Sequence, residues 1–411
     1  MPLTSGVQAT GLLRNVELQG ADVWEQARNT EHTPSYLFFT GGSALRELSR
    51  CLARSNPHSI HIVTTFDSGG STAEIRRCFA IPAMGDLRNR LLALADPAQV
   101  SPQILDFFQM RLPSQAEPGQ LLVQLRTMAS PDHPFWAGTD PHSVSWLCSA
   151  LQAIVQRLPG HFDLRGASVG NLLLTSIYLE HGRDFEPTLD SLSRFLHVRG
   201  HVLPVVDKSL HLGCELADGS FVLGQHNFKK LTTRVRRIFL TVHERLAPSH
   251  AARDVCHPPA ASGTCAWIGR ADAICYPMGS FYSSVLVNLL VRGIGRAIAG
   301  RHCPKIFIPN LGWDPELGDT SLLTQIGILL ETLRCDAPFA RTSDLLHYVL
   351  CDPHGDYQGR IEPNARERLA EMGISLRFEP LSKNGDLHDP ELTIEALERC
   401  LREYRKLHAQ V

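Results

Sequence analysis

Chemistry in this chain is concentrated in short polar stretches that follow apolar runs. The longest spans residues 58–96, where the apolar run Ile60 to Thr65 leads into Asp67, Ser68, Gly69 and Gly70. A short basic helix follows, then a Pro and Gly turn from Ile81 to Gly85, and a helical pattern from Asp86 through Leu94. A buried strand that ends in small residues and opens a helix is a construction for holding phosphate. Glycine lets backbone N–H groups approach an anion, and the helix N-terminus carries partial positive charge. Asp67, just past the strand end, stands where a parallel sheet presents a carboxylate to a ligand or a metal. The competing reading is structural, because any βα crossover needs Gly, Ser and Asp to turn a corner. Asp86 has the same two readings, a ligand group or a helix cap.

A second stretch of this kind precedes the first. Tyr36 to Thr40 reads as a strand, Gly41, Gly42 and Ser43 as the turn, and Leu45, Leu48 and Leu52 as the apolar face of a helix. It lacks the full G-x-G-x-x-G fingerprint, so a dinucleotide is not indicated. Two consecutive glycine-bearing turns after parallel strands would share one phosphate crevice. Further along, Asn171 opens an apolar helix, either as a cap or as a ligand to an oxygen, with the cap favoured. Gly279, Ser280, Ser283 and Ser284 form a loop between a strand at 272–276 and a helix at 285–291, again suited to an anion. A strand from Lys305 ends in Asn310.

The elements that must carry these residues alternate strand and helix, which predicts an α/β fold with a parallel sheet. Residues 1–34 read as an N-terminal extension, with an edge strand at Leu12 to Leu18, and 35–411 as a single α/β domain. Residues 97–160 show helical spacing and read as an insertion. Residues 198–228, with Asp218-Gly219 between alternating runs, read as a small β-hairpin element. The basic run from Lys229 to Arg237 reads as a solvated face, and 247–263 as an exposed loop. His197, His201, His211 and His226 lack zinc-site spacing and read as packed or solvated.

The chain has 411 residues, 43% hydrophobic and 20% charged, with a net charge of −2. Nothing in that balance attracts nucleic acid or an anionic membrane, and no aromatic-basic motif appears. The eleven cysteines include no Cys-x-x-Cys pair and mostly sit beside apolar residues, as reduced thiols do. No leader and no run near the length of a membrane span is visible, so a cytoplasmic protein is expected.

The succession Thr40-Gly-Gly-Ser43, Thr65 to Thr72, Pro82 to Asn89, Ser168-Val-Gly-Asn171, Val198 to Pro204, Met278 to Val285, Pro309-Asn310 and His388-Asp-Pro390 resembles the CofD/YvcK family over residues 35–395. It is similar in particular to the CofD-like proteins of the GAK gene system. The resemblance implies a Rossmann-like parallel sheet with inserted helices and a nucleoside diphosphate compound or nucleotide sugar as ligand. In the CofD branch it implies transfer of a phospholactyl group to an alcohol with Mg²⁺. In the YvcK branch it implies UDP-sugar binding and influence on carbon and cell-wall metabolism without settled catalysis. His201-Val-Leu-Pro204 and the loop from Gly279 to Ser284 look more like the YvcK branch. Members often form dimers, so a homodimer is also implied.

Carried onto this sequence, the resemblance makes Asp67 and Asp86 catalytic, with Asp67 the metal ligand. It assigns ligand binding to Thr40, Gly41, Gly42, Ser43, Ser68, Gly69, Gly70, Arg88, Asn89, Asn171, Gly279, Ser280, Ser283 and Asn310. Two departures stand out. Ser68 replaces the second of two adjacent aspartates, which weakens the expected Mg²⁺ site, and Ala44 replaces a glycine.

Overall fold

The computed structural model describes residues 33–231, 233–244, 250 and 253–409. The edge strand expected at Leu12 to Leu18, and the extension apart from residues 33 and 34, lie outside the described residues. Residues Ser35–Val411 form one compact unit.

Its centre is a seven-stranded sheet built from β1 (Tyr36–Thr40), β2 (Ile60–Val63), β3 (His201–Pro204), β7 (Ala273–Tyr276), β8 (Lys305–Phe307), β9 (Tyr348–Cys351) and β10 (Ser375–Phe378). The order is β10-β9-β8-β7-β1-β2-β3, and every pairing is parallel. This is the Rossmann-like α/β sheet anticipated above. Strands of such a sheet read as unbroken apolar runs because both faces are covered. Leu37 and Phe39 pack into one core with Ile274 and Tyr276, while Tyr36 and Phe38 pack into another with Ala273 and Cys275. The first core is closed by the helices around Ile294–Gly300 and Leu322–Asp336, and the second by the C-terminal helix Pro390–His408.

Helices occupy the connection from β2 to β3: α2 (Gly70–Phe79), α3 (Gly85–Leu94), α4 (Pro102–Gln109), α5 (Pro118–Met128), α6 (Pro141–Arg157), α7 (Val169–Glu180) and α8 (Phe185–Phe195). The helix α1 (Arg46–Ser55) joins β1 to β2. The helical lobe has its own core around Phe107, whose ring meets Trp136 edge-on at 4.6 Å. It therefore runs beyond residue 160, to Phe195.

The small β element is a three-stranded antiparallel sheet, β5-β4-β6, of β4 (His211–Leu216), β5 (Phe221–Leu223) and β6 (Val235–Thr241). Residues 198–204 do not belong to it, because β3 pairs with β2 at the edge of the main sheet. The basic residues of 229–237 are all exposed, as a solvated face requires. The second half of that run is β6, where Arg236 and Arg237 bind Glu215 across the sheet at 2.7 and 2.6 Å. In the segment 247–263 most described residues are exposed, while Cys256 bridges Leu240, Pro259 bridges Arg292, and Ala261 is buried. No helix among the described residues is long and apolar enough to cross a membrane.

Candidate functional site

From β1 the chain moves outward through β2 to β3 in one direction, and from β7 through β10 in the other. β1 and β7 are neighbours, so the loops that leave their carboxyl ends diverge. An open parallel sheet forms its ligand crevice at this reversal. A cavity of about 320 Å³ lies there, lined by Phe39 to Leu45 at the end of β1 and by residues 278–280 and 283–285 after β7. Asp67 and Gly69 after β2, together with His226 and Lys229, complete its wall.

The turn after β1 is held from below by Arg90, a residue of α3 with 1% of its surface exposed. Its guanidinium donates to Thr40 Oγ1 at 2.6 Å, to the Leu45 carbonyl at 3.1 Å, to the Gly41 carbonyl at 3.3 Å and to Ser49. Burial lowers its pKa to about 10, which leaves it charged at neutral pH. Thr40 thus spends its hydroxyl on the fold. Gly41 is required by close approach, since a Cβ there would stand 2.7 Å from Ser284 Oγ and 2.8 Å from Thr64 Cγ2. Gly42 and Ser43 have no such crowding and face the cavity.

After β2, Asp67 accepts from the Gly69 N–H at 3.0 Å through Oδ1. Arg76 of α2 is buried and fixes the same loop by donating to the Asp67 carbonyl at 2.8 Å. Oδ2 of Asp67 lies 3.4 Å from where a Gly85 Cβ would stand, so the carboxylate reaches the first turn of α3. Asp86 lies in that turn, buried, with Oδ2 unpartnered among the described residues. Burial, reinforced by the charge of Asp67, pushes the Asp86 carboxyl up to about 7. Asp86 is not the helix cap: α3 begins after Met84 and has no side-chain cap. Asn171 is not a cap either. Ser168 caps α7 by accepting from the Asn171 N–H, while Asn171 Nδ2 donates to Thr72 Oγ1 at 3.3 Å and its Oδ1 is unpartnered. Ser68 Oγ pairs with His226 Nδ1 at 3.1 Å. Gly70, the first residue of α2, is exposed at φ +49 and does not line the cavity.

The loop after β7 contains an unexpected anion. Gly279, at φ +145, is clamped by Asn310, which accepts from its N–H at 2.6 Å and donates to its carbonyl at 2.7 Å. Asn310 is therefore a brace and does not line the cavity. Ser280 borders the cavity, but the helical segment begins at Phe281, inside what the sequence presents as a turn. The N–H groups of Tyr282 and Ser283 point to Glu316 Oε2 at 3.0 and 2.9 Å, and the Ser283 hydroxyl donates to Oε1. The anion suited to this helix start is the chain's own carboxylate. Ser283 is committed to it.

Arg88 and Asn89 border a second, larger cavity of about 850 Å³ that meets the first at Gly42 and Ser43. Arg88 is buried, donates to Ser168 Oγ, and holds Asn89 Oδ1 at 2.8 Å. The structure thus gathers Thr40 to Ser43, Asp67, Gly69, Gly279, Ser280 and Ser283 around one cavity, with Asp86 beneath Gly42. Sequence reasoning missed Arg90, Arg76 and Glu316. Their only local signal was a charged residue within or beside an apolar stretch.

Asp67 and Glu316 line the cavity and Asp86 lies beneath Gly42, but Glu316 is already held by the Tyr282 and Ser283 N–H groups and the Ser283 hydroxyl. Among the described residues no group of three or more His, Cys, Asp or Glu could hold a metal. Mg²⁺ does not need such a cage, since it takes one or two carboxylates with substrate phosphates and water. Asp67, which lines the cavity with Oδ2 free, fits that role.

Comparison with known proteins identifies the family. The model of the family described as 2-phospho-L-lactate transferase CofD matches residues 37–377. The gluconeogenesis factor of Bacillus subtilis is 31% identical over 282 residues, covering 69% of this chain and 69% of that protein. The gluconeogenesis factor of Halalkalibacterium halodurans is 32% identical over 274 residues, 66% of this chain and 65% of that protein. A crystal structure of a UPF0052 family member from Bacillus halodurans superimposes with a TM-score of 0.62 at 25% identity, over 89% of this chain and 99% of that one. The chain belongs to the CofD family.

Proposed function

We propose that the chain is a CofD-like transferase that takes a nucleoside diphosphate compound and moves its phospholactyl-type group to an acceptor alcohol. One observation carries this reading: at the reversal of strand order, the glycine turn after β1 meets two carboxylates, one of which has a buried, unpartnered oxygen. The turn after β1 would receive the diphosphate through backbone N–H groups of Gly42 and Ser43, at the uncapped start of α1. The acceptor oxygen forms a bond to the phosphorus that bears the transferred group. The bond from that phosphorus to the diphosphate bridge breaks, a nucleoside monophosphate leaves, and the hydroxyl proton passes to Asp86. Asp67 would hold Mg²⁺, which when bound would neutralise charge on the phosphates. Positioning and charge neutralisation do most of the work in such a step.

The second reading is a regulatory protein that binds a nucleotide sugar without turning it over. It is favoured by the name gluconeogenesis factor borne by both relatives above and by Ser68, whose hydroxyl is paired with His226 where a second aspartate would have served a metal. Thermal melting with nucleoside diphosphates and UDP-sugars, with and without Mg²⁺, on wild type and Asp67→Ala separates the two. Ligand at 100 times its Kd adds roughly 2.7 kcal/mol. Stabilisation by a nucleoside diphosphate compound that needs Mg²⁺ and is lost in Asp67→Ala supports transfer. Stabilisation of both proteins by a UDP-sugar without metal supports the regulator. No response to any nucleotide refutes the crevice.

A further inference from the structure

The second cavity has a composition that the reading above does not use. Its lining includes Arg46, Arg50, Arg54, Arg88, Arg111 and Arg199, and one carboxylate, Asp96. Arg46, Arg50 and Arg54 recur every four residues, which places them along one face of α1. Arg50 is paired with Glu47 at 2.8 Å and Arg199 with Asp96 at 3.7 Å. Among the described residues Arg46, Arg54, Arg88 and Arg111 form no ion pair. Arg88 is also buried with its Nε unpartnered. A chain with a net charge of −2 has no general need for such a cluster. Like charges held together in a concavity cost free energy that a multiply charged anion offsets.

We propose that this arginine-lined cavity binds the second substrate, a small molecule carrying two or more phosphate or carboxylate groups. Its volume of about 850 Å³ suits a small ligand rather than a polymer surface. No aromatic side chain lines it, so it offers nothing for a base or ring to stack on. Planar guanidinium groups match the fork of a phosphate or carboxylate. The two cavities meet at Gly42 and Ser43, and Asp86 Oδ1 lies 3.9 Å from where a Gly42 Cβ would stand. A molecule anchored on the arginines therefore extends its uncharged end toward the carboxylates. The substrate role rests on the transferase reading; the anion site does not.

Isothermal titration of the full chain with tripolyphosphate and, separately, with citrate tests the site. Wild type is compared with Arg46→Glu/Arg54→Glu, with Lys229→Ala in the first cavity, and with Arg126→Glu, which lines neither cavity. Arg46 and Arg54 are exposed, so their replacement spares the core, and Arg111→Gln serves as a milder second variant. One or both anions should bind wild type at 0.15 M salt, and the better of them identifies the headgroup chemistry. The double variant should weaken binding by at least about tenfold, while Lys229→Ala and Arg126→Glu change it less than about twofold. Absence of binding by both anions overturns the proposal. An equal loss in Arg126→Glu, meaning unspecific charge attraction, or a loss confined to Lys229→Ala, meaning occupation of the first cavity, overturns it as well. Nucleotide melting shifts are read separately, so either site can fail alone.

Discussion

Glu316 provides the sharpest test of how the crevice wall is held. Its carboxylate is 6% exposed and accepts from two backbone N–H groups and the Ser283 hydroxyl. Burial is the dominant influence and outweighs those hydrogen bonds, pushing the group from 4.5 up to about 7. A folded-state pKa above the unfolded one means that the folded protein binds the extra proton. The corresponding stability is fully present below about pH 4.5 and is lost as the pH rises through about 7. At about 1.36 kcal/mol per pH unit, the interval corresponds to about 3 kcal/mol. Glu316→Gln mimics the protonated form at every pH. Its carbonyl can still accept from both N–H groups, and its amide can donate to Ser283 Oγ. Urea unfolding of both proteins between pH 5 and pH 8 isolates this group, because the other titrations cancel in the difference. Relative to wild type the variant should gain about 2–3 kcal/mol between pH 5 and pH 8, from under about 1 kcal/mol at the lower pH to about 3 kcal/mol at the higher. A constant difference across that range, or a variant that weakens as pH rises, would refute the assignment.

Two further substitutions probe the turn after β1. Gly41→Ala should cost about 1–3 kcal/mol in chemical denaturation, because its Cβ would meet Ser284 and Thr64. Adding Ser284→Gly removes two of the three closest atoms and should restore part of the loss; a neutral Gly41→Ala would contradict the close approach. Arg90→Met leaves Thr40 Oγ1 without its donor and takes one donor from the Leu45 and Gly41 carbonyls, which keep Ser49 and Thr40, and should cost about 1–3 kcal/mol. The same change removes a cation that holds the Asp86 carboxyl down, so a carbonyl-carbon NMR titration should show Asp86 protonating at higher pH. An unmoved Asp86 would mean that the two groups do not interact.

The sheet was legible because burial on both faces leaves an unmistakable pattern: Tyr36 to Phe39 and Ala273 to Tyr276 are continuous apolar runs with no competing helical period. The glycine turns were legible because close approach and positive φ restrict the residue type, as at Gly41 and Gly279. What the sequence hid was the partner of each polar group. Ser283 and Glu316 are 33 residues apart, and no local signal says that one will satisfy the other. Asn171 looked like a cap because it opens an apolar helix, yet Ser168 three positions earlier supplies the cap and frees Asn171 to meet Thr72. The basic run at 229–237 is exposed as its composition suggests, but its counter-charge, Glu215, lies on the neighbouring strand and leaves no local signal.

The distribution of helix caps gives the crevice an energetic rationale. α4, α6, α7 and α8, and the helices that begin at Leu322 and Pro390, have a Ser or Asp whose side chain accepts from an N-terminal N–H. α5 has no such cap, but it begins with Pro118, which has no N–H to satisfy. α1, α2 and α3, whose N-cap residues Leu45, Gly69 and Met84 lie at or beneath the first cavity, have none; the short helices Thr264–Ile268, Ile294–Gly300 and Ala365–Glu371 also lack one. A cap is worth about 1 kcal/mol, so the free chain forgoes about 3 kcal/mol at this edge of the sheet. Asp67 and Asp86 offset part of that at α3 through the helix dipole. The first-turn N–H groups of α1 and α2 that lack a backbone partner are open to an acceptor from outside, which the diphosphate of the proposed ligand would supply.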